Sequence, residues 1–474
     1  MKKALYIFSL ISVFGCSNFL DEVDQDKIIP EKTDHYAALL LQEFNSQYPI
    51  FKSVDYMTDN IVEDPKATTI KKFGFKTTYT WQREIEIDEN GNRITNINTS
   101  WADMYNDIAI ANYVIAQIDD AIGTAEEIQN VKGEAYFVRA FSYFNLLNLY
   151  GQPYNANTAN TDLGVPIRDN IGIETTYNRN TVAECYAFIE EDLTKATELI
   201  TASGIKKSKW HPNVATCNLL MSRIKLYQEK WDDVINFANK VVDNGSLTKM
   251  TTTSPFITDS NSEVLYSYYT VLPLFQLYTS GTTLSNVYYR VNPELYALYD
   301  TNDIRKQAFF FGIDDGTGKL YYRTKKYQSG LYTSLGYANF RVSEAYLNRA
   351  EAYAQKADYE NALKDIQELH KKRYSTIPDY TGVVADVAYV LKERRKELCF
   401  EDHHRWFDLR RMKNRPEIKH VFTLIDENAT LIGKETYTLL PYDLNYTLSI
   451  PLKERENNPL IRDNERYEKI PQIQ

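Results

Sequence analysis

Residues 393–412 read ERRKELCFEDHHRWFDLRRM and combine two adjacent histidines, five arginines and several carboxylates. Histidine and carboxylate side chains are the usual general acids and bases of enzymes, and they are also common metal ligands. The segment is therefore the first place to look for catalysis or metal binding. Which of these it could perform depends on how its spacing places the side chains in three dimensions.

The spacing of the two histidines argues against a metal site. His403 and His404 are consecutive, so on a helix they point about 100° apart and cannot bind one ion together. The sequence also contains no HExxH pair, no GxSxG nucleophile motif and no nucleotide-binding fingerprint. We therefore predict no catalytic residue, no metal ion and no cofactor.

A structural corner explains the same segment more simply. Glu401 and Arg405 are four residues apart and are expected to pair on one helix face. Trp406 supplies a large apolar side chain, while Arg410 and Arg411 can bind the carbonyl end of a helix. The segment is thus predicted to be an ion-paired corner around a buried aromatic residue.

The elements that would position such a corner are mostly helices. Apolar residues recur at helical spacing in a series of segments, and Thr181 with Glu184 forms a capping-box pattern at the start of one of them. The predicted helices cover residues 33–44, 101–122, 126–150, 181–200, 212–228, 231–243, 341–355, 359–373 and about 385–400. The pairs at 212–243 and 341–373 have the shape of tetratricopeptide units, with generic helical hairpins as the alternative. We predict a mainly α fold built on such pairs.

Two regions break the helical pattern. Residues 84–97 alternate apolar and polar side chains around Asn90-Gly91, which predicts a hairpin. Between about 245 and 340 the helical period disappears, and FFFGIDDGTGKLYYR reads as two strands joined by a glycine-rich turn. Because binding groups are often carried on long loops, we expect this irregular loop and hairpin insertion to carry the ligand surface.

The N-terminus has the features of an export signal. Lys2 and Lys3 precede a mostly apolar run over residues 4–14, which is too short to span a bilayer as a helix. Gly15-Cys16 follows, and the segment resembles the lipobox of bacterial lipoproteins, with an ordinary signal peptide as the alternative. We predict a signal peptide over residues 1–15, a lipidated Cys16 with a spacer to residue 32, and a single domain over residues 33–474.

Charge and cysteine content exclude further classes. The chain has 54 basic and 64 acidic residues, a net charge of −10, and no dense basic stripe, so nucleic acid is not an expected partner. Apart from Cys16, the cysteines are Cys185, Cys217 and Cys399, an odd number at wide spacing. This pattern argues against a disulfide framework and favours buried thiols that pack as small apolar groups.

Several motifs together resemble one family. ERRKELCFEDHHRWFDLRR is similar to the C-terminal signature of the SusD/RagB family of surface nutrient-binding lipoproteins. SNFLDEV, GEAYFVRAFSYFNLLNLYGQP with GVPI, SEAYLNRAEAYAQ and LSIPLKERENNPLIRDNERY resemble its other signatures in the same order. The sequence departs from the family pattern at Cys399 and at Arg466, where a small apolar residue and a glycine are frequent.

The resemblance implies a helical scaffold of four tetratricopeptide-like pairs. It also implies a lipid-anchored protein on the outer membrane, facing the cell exterior and covering a TonB-dependent transporter of the SusC type. Members bind oligosaccharides or, in some branches, peptides. The shared signatures are structural, so they do not identify the ligand residues.

Ligand residues must therefore be predicted from side-chain chemistry. Aromatic rings match the apolar face of a sugar, and Asn and Arg side chains bond its hydroxyl groups. The candidates are Tyr79, Trp81, Asn96 and Asn98 around the first hairpin, and Tyr288, Tyr289, Arg290, Tyr321 and Tyr322 in the insertion. For each aromatic residue the alternative is ordinary packing. The predicted function is glycan capture without catalysis. The first alternative is a protein that binds a peptide or another small nutrient. The second is a glycoside hydrolase, but no pair of acidic residues is singled out by its spacing in the sequence.

Overall fold

The computed structural model describes residues 30–46, 54–64, 67, 70–94, 100–172, 177–252, 256–268, 288–314, 318–326, 335 and 338–474. Helices dominate this part of the chain. They are α1 (Thr33–Ser46), α2 (Lys76–Tyr79), α3 (Ser100–Gln117), α4 (Ala125–Tyr150), α5 (Val182–Ser203), α6 (Val214–Tyr227), α7 (Trp231–Val242), α8 (Pro293–Ala297), α9 (Ile304–Phe309), α10 (Val342–Gln355), α11 (Tyr359–Arg373), α12 (Val387–Leu398), α13 (His404–Arg411) and α14 (Leu452–Asn457).

The mainly α fold class is confirmed, and the long helices lie where the apolar periodicity places them. The capping box at the start of α5 is present, with the Glu184 backbone N–H donating to Thr181 Oγ1 at 3.2 Å and the Thr181 N–H donating to Glu184 Oε2 at 2.8 Å. Helix α4 packs against both α3 and α5, and nearly all of its side chains from Asn130 onward are buried. A helix covered on all sides in this way forms the centre of the fold.

The two helix pairs that suggested tetratricopeptide units share one type of connection. Helices α6 and α7, and likewise α10 and α11, are joined by three residues whose middle member, Glu229 or Ala357, has a φ of 59°. After Glu229, the Lys230 N–H donates to the Lys225 carbonyl at 3.0 Å, and the equivalent bond in the second link is 2.9 Å. This left-handed turn reverses the chain tightly, so the paired helices pack side by side.

Short antiparallel sheets tie distant parts of the chain together. The strands are β1 (Ile61–Glu63), β2 (Val264–Tyr268), β3 (Tyr289–Val291), β4 (Phe310–Asp314), β5 (Leu320–Thr324), β6 (Ala338–Arg341), β7 (Ile418–Ile425), β8 (Leu431–Leu439) and β9 (Gln472–Ile473). β1 pairs with β3, β2 with β6, β4 with β5, and β8 lies between β7 and β9. The β4–β5 hairpin confirms the predicted two strands of the insertion.

The hairpin predicted at Asn90-Gly91 is present in a minimal form. A single bridge joins Ile87 to Arg93, and Gly91 has a φ of 80°, which an L side chain adopts only with strain. The Asp88 carboxylate accepts hydrogen bonds from the backbone N–H groups of Asn90 and Asn92 at 2.9 and 2.8 Å. The turn is therefore held both by this carboxylate and by two backbone hydrogen bonds across the hairpin, from Asp88 N–H to the Asn92 carbonyl at 2.8 Å and from Ile94 N–H to the Glu86 carbonyl at 2.7 Å.

The three cysteines of the folded part are free and buried, as the composition predicts. Burial raises the pKa of Cys185 to about 12, so its thiol stays protonated at neutral pH. Its sulfur lies 3.4 Å from both the backbone nitrogen and the carbonyl oxygen of Val165. These thiols act as packing groups.

A buried ion-pair cluster joins the insertion to the helical frame. It contains five acidic and five basic side chains, so its formal charge is zero, and none of these residues is more than 5% exposed. The members are Glu263, Asp303, Glu393, Glu397 and Glu401 with Arg305, Lys326, Arg341, Arg373 and Lys396. Four of the ten come from the insertion, and the others come from β6, α11, α12 and the turn after α12.

Glu397 lies at the centre of this cluster. Its carboxylate accepts hydrogen bonds from Arg373 and Arg341, each at 3.0 Å, and from Arg305 at 3.2 Å. Burial by itself would raise the pKa of Glu397, but the three guanidinium groups hold it well below its usual value. Arg341 also donates two hydrogen bonds, of 2.7 and 2.8 Å, to the Glu401 carboxylate. The desolvated charges are thus mutually compensated, as buried ions must be.

Replacing Glu397 with Gln removes one negative charge and leaves the buried cluster with an excess positive charge, although its arginines keep their other carboxylate partners. We expect the free energy of unfolding to fall by about 3–5 kcal/mol, since breaking one side of a buried pair costs this much. Urea unfolding followed by circular dichroism measures it. The control is Glu360→Gln, which breaks an exposed pair with Lys364 and should change stability by less than about 0.5 kcal/mol. Equal effects of the two substitutions would contradict the role given to the cluster.

The same substitution gives a pH test. Because the folded pKa of Glu397 is lowered, its stabilising contribution is complete above the unfolded pKa, near 4.5, and is lost as the pH falls through the folded value. The difference in unfolding free energy between the wild type and Glu397→Gln should therefore stay constant from about pH 7 to 5 and shrink below that range. A difference that grows on acidification would show the opposite sign and refute the assignment.

Candidate functional site

The histidines of residues 393–412 are buried in the corner between α12 and α13. His403 has a φ of 56° and lies before the first residue of α13, with Nδ1 3.2 Å from Asp55 Oδ2. His404 is buried, and burial together with Arg223 and Arg394 holds its pKa well below the usual value. Neither ring is open to a substrate. In the described part of the chain, no three His, Cys, Asp or Glu side chains are grouped to hold a metal ion.

The corner is ion-paired as predicted, but the predicted partners are partly wrong. Glu401 pairs with Arg341 and Lys326, whereas Arg405 holds Asp59 through two bonds of 2.7 Å. The backbone has positive φ at three positions between residues 400 and 403. Because the chain leaves the helix there, a spacing of four residues no longer brings Glu401 and Arg405 together.

The other expectations for the corner hold in part. Trp406 is fully buried and stacks on Tyr446, with ring centroids 5.3 Å apart. Arg410 donates to the carbonyl of Gly151, the capping residue directly after α4, which confirms the carbonyl-binding role. Arg411 instead pairs with Glu351 through bonds of 2.6 and 2.8 Å.

Three of the candidate ligand residues belong to the core. The side chains of Tyr79, Trp81 and Tyr289 are fully buried. Tyr79 and Trp81 sandwich His420 of β7, with ring centroids 4.1 and 4.2 Å from the imidazole. Trp81 Nε1 also donates to the Met57 carbonyl at 2.8 Å. Their burial corrects the expectation that they face a ligand, because no part of these rings is open to one.

Four of the other candidates lie on or directly before β3 and β5, two strands that lie side by side. The Arg290 guanidinium carbon is 4.0 Å from the ring centroid of Tyr321. Tyr322 stacks on Tyr296 with ring centroids 3.5 Å apart. Tyr288 directly precedes β3. We call Tyr288, Arg290, Tyr321 and Tyr322 the β3–β5 surface; Tyr321 and Tyr322 are consecutive on β5, so their side chains point to opposite faces of the strand. Asn96, Asn98 and Cys16 lie outside the described residues.

Exposure differs within the β3–β5 surface. Arg290 and Tyr322 are partly exposed, whereas Tyr288 and Tyr321 keep 8% and 5% of their accessible area. Burial raises the pKa of the neighbouring Tyr296 to about 12, so its hydroxyl is a neutral hydrogen-bond donor at physiological pH. The surface therefore offers one guanidinium, ring faces or edges, and phenol groups, and it offers no pair of carboxylates for acid–base chemistry among its four members.

Sequence reasoning missed the residues that support this surface. Tyr296 lies on α8 and stacks on Tyr322, and Lys306 Nζ of α9 is 4.7 Å from the Tyr296 ring. Phe75 contributes a ring 6.4 Å from that of Tyr288. Nothing in the local pattern of these residues differs from ordinary core residues, because their positions depend on how the insertion folds back on the frame.

Comparisons with known proteins identify the family. A family model described as starch-binding and associating with the outer membrane matches residues 18–226, and the model of the SusD family matches residues 262–467. The chain belongs to the SusD family. No described helix is both long enough and apolar enough to cross a membrane.

Individual relatives are distant. SusD-like protein P2 of Formosa agariphila is 21% identical over 87% of this chain and 90% of its own length. SusD-like protein P25 of the same organism is 25% identical, and the match spans 31% of this chain and 29% of P25. The crystal structure of a SusD-like carbohydrate binding protein from Bacteroides vulgatus has a TM-score of 0.70 at 21% identity, covering 91% of this chain and 97% of that one. The shared fold is thus clear at low identity.

The burial of Trp81 leads to a prediction about stability. Replacing it with Ala should lower the free energy of unfolding by about 3–5 kcal/mol, because the change empties a large core site and removes the stack on His420. Chemical denaturation measures the loss. Tyr442→Ala, at a side chain that is 82% exposed, is the control and should have little effect. A Trp81→Ala protein as stable as the wild type would show that the ring is not part of the core.

Proposed function

We propose that this protein captures an oligosaccharide at the cell surface and passes it to a SusC-type transporter without breaking a bond. Cys16 would carry the lipid anchor on the outer membrane. Membership of the SusD family supports the proposal, since one matching family model is described as starch-binding and a structurally similar protein as carbohydrate binding. The observation that carries it for this chain is the β3–β5 surface, where Arg290 lies against Tyr321.

The chemistry of this surface suits sugars. A guanidinium held against an aromatic ring has a fixed orientation, so it can present N–H groups to sugar hydroxyl groups at fixed positions. A partly exposed tyrosine such as Tyr322, with one ring face stacked on Tyr296, offers the rest of its apolar ring to the C–H face of a pyranose and a hydroxyl at its tip. The buried state of His403 and His404 removes the strongest sequence candidates for catalysis. These features support binding rather than turnover.

A peptide ligand remains the second candidate. Extended peptides bind by adding a strand to an open sheet edge, and the sheets of β1 with β3 and of β4 with β5 each have two strands. The two candidate functions differ in the class of ligand that the protein binds. A pool of mixed peptides and a panel of neutral oligosaccharides, offered to the same protein, therefore separate them.

The proposal is tested by Arg290→Ala. We expect affinity for the bound oligosaccharide to fall about tenfold or more, since a hydrogen bond from a charged group contributes about 1.5–3 kcal/mol. Isothermal titration calorimetry measures it, with affinity electrophoresis on polysaccharides to find the ligand. The matched control is Arg462→Ala, at an exposed arginine outside the β3–β5 surface, which should bind as the wild type does. Peptide binding without oligosaccharide binding would favour the second candidate, and unchanged affinity in Arg290→Ala would remove this surface from the site.

A further inference from the structure

A groove of about 1010 Å³ opens in a part of the protein that shares no residue with the β3–β5 surface. Its walls are residues 152–158 after α4, the link between α6 and α7, and residues 410–415 at the end of α13 and beyond. Tyr442 lies at its edge and is 82% exposed. A volume of this size is that of a ligand site and far exceeds that of a single ion.

Positive charge dominates the lining of the groove. The charged lining residues are Lys230, Arg410, Arg411, Lys413 and Arg415 with Asp162 and Glu229. Lys413 Nζ lies 2.7 Å from Glu229 Oε2, so these two residues form an ion pair, and Arg411 is paired with Glu351. No carboxylate in the described part of the chain pairs with Lys230, Arg410 or Arg415. These three cations stand out on a chain whose net charge is −10.

Arg410 is the deepest of the three. It is 2% exposed, and its protein partners are neutral oxygens: its Nε donates to the Tyr446 carbonyl at 3.0 Å and its Nη2 to the Gly151 carbonyl. Its Nη1 has no acceptor among the described residues. Burial lowers the pKa of Arg410 to about 9, so the side chain remains charged at neutral pH. A buried cation without a counter-ion is stabilised when an anion binds beside it.

Arg415 lies next to Arg410 and repeats this arrangement. Its Nη1 donates to the Pro441 carbonyl at 3.2 Å, and its guanidinium is 4.6 Å from the Tyr446 ring. Its Nε is buried and has no acceptor in the described part of the chain. The charge of Arg415 further lowers the pKa of Arg410. Two adjacent guanidinium groups with unused donors form the arrangement that binds carboxylate, sulfate or phosphate groups.

The rest of the lining has the character of a sugar site. Tyr154 and Tyr442 provide aromatic rings, and Asn155 and Asn157 provide exposed amides. Gln228 lines the same wall, and its side-chain carbonyl oxygen accepts no hydrogen bond from the described residues. A site for a free inorganic anion needs only cationic groups. Aromatic rings and amides beside such groups match the ring and the hydroxyl groups of a sugar that carries a negative charge.

We propose that this groove binds the anionic group of an acidic oligosaccharide, a carboxylate or a sulfate, as a second site on the protein. The inference rests on the proposed function and names a substrate class for it. Arg410 and Arg415 hold the anionic group, Lys230 adds charge at the rim, and Tyr442 contacts the sugar ring.

The test uses the full chain and the double variant Lys230→Gln/Arg415→Gln, which spares Arg410 because that residue also holds the end of α4. The probes are a galacturonic acid oligosaccharide, a sulfated galactose oligosaccharide, the neutral galactose oligosaccharide of the same length, and sodium sulfate alone. Calorimetry should show that at least one acidic sugar binds more tightly than the neutral one, and that the double variant weakens this binding about tenfold or more. The affinity should also fall as NaCl is raised.

The control is Lys364→Gln/Lys371→Gln, which makes the same charge change on exposed lysines of α11 and should bind like the wild type. Thermal melts confirm that each variant folds. Equal binding of acidic sugars by the double variant and the wild type would overturn the inference, and so would binding of sulfate alone without either acidic sugar. Binding of the neutral sugar alone would overturn the acidic site but leave the proposed function standing; no sugar binding at all, from this or a wider neutral panel, would overturn both.

Discussion

The structure depends on the compensation of buried charge. Ten ionised side chains lie out of contact with water between the insertion and the helical frame, and removal from water costs each of them several kcal/mol. That cost is recovered only when the acids and bases meet in good geometry, as Glu397 does with its three arginines. Any arrangement of the insertion that separated these partners would leave ions buried and unpaired. The cluster therefore selects one position for the insertion.

The position of the insertion in turn fixes the β3–β5 surface, where we propose that the ligand binds. Arg305 follows α8 along the chain and Lys326 follows β5, and both are held in the cluster. The same part of the chain carries Tyr322, and Tyr296 lies on α8 against it. The ion pairs of Arg305 and Lys326 fix the ends of these short elements. Their aromatic side chains are therefore held in place although no large sheet among the described residues supports them. A rigid frame that holds a loop-rich surface is a common way to build a binding site.

Arginine is used in three different ways in this molecule. Arg341 is compensated by carboxylates, whereas Arg466 is buried among carbonyls, including that of Asn445 at 2.9 Å. Burial lowers the pKa of Arg466 to about 10, and its bonds close the C-terminal segment onto residues 82 and 83. This is a packing role. Arg410 and Arg415 are distinct because they combine carbonyl contacts with unused donors beside an open groove.

The sequence by itself determined the elements and their class. Apolar periodicity, the Thr181–Glu184 cap and glycine-rich turns are local signals, so they predicted the long helices, the β4–β5 hairpin and the ion-paired character of residues 393–412. Tertiary structure decided which residues meet. The Tyr79 and Trp81 rings look the same in sequence as exposed aromatic residues, but His420, more than 300 residues away, lies between them in the core. Arg405 likewise pairs with Asp59 and not with Glu401. Burial and ion pairing are set by contacts between distant segments, and no spacing within one segment encodes them.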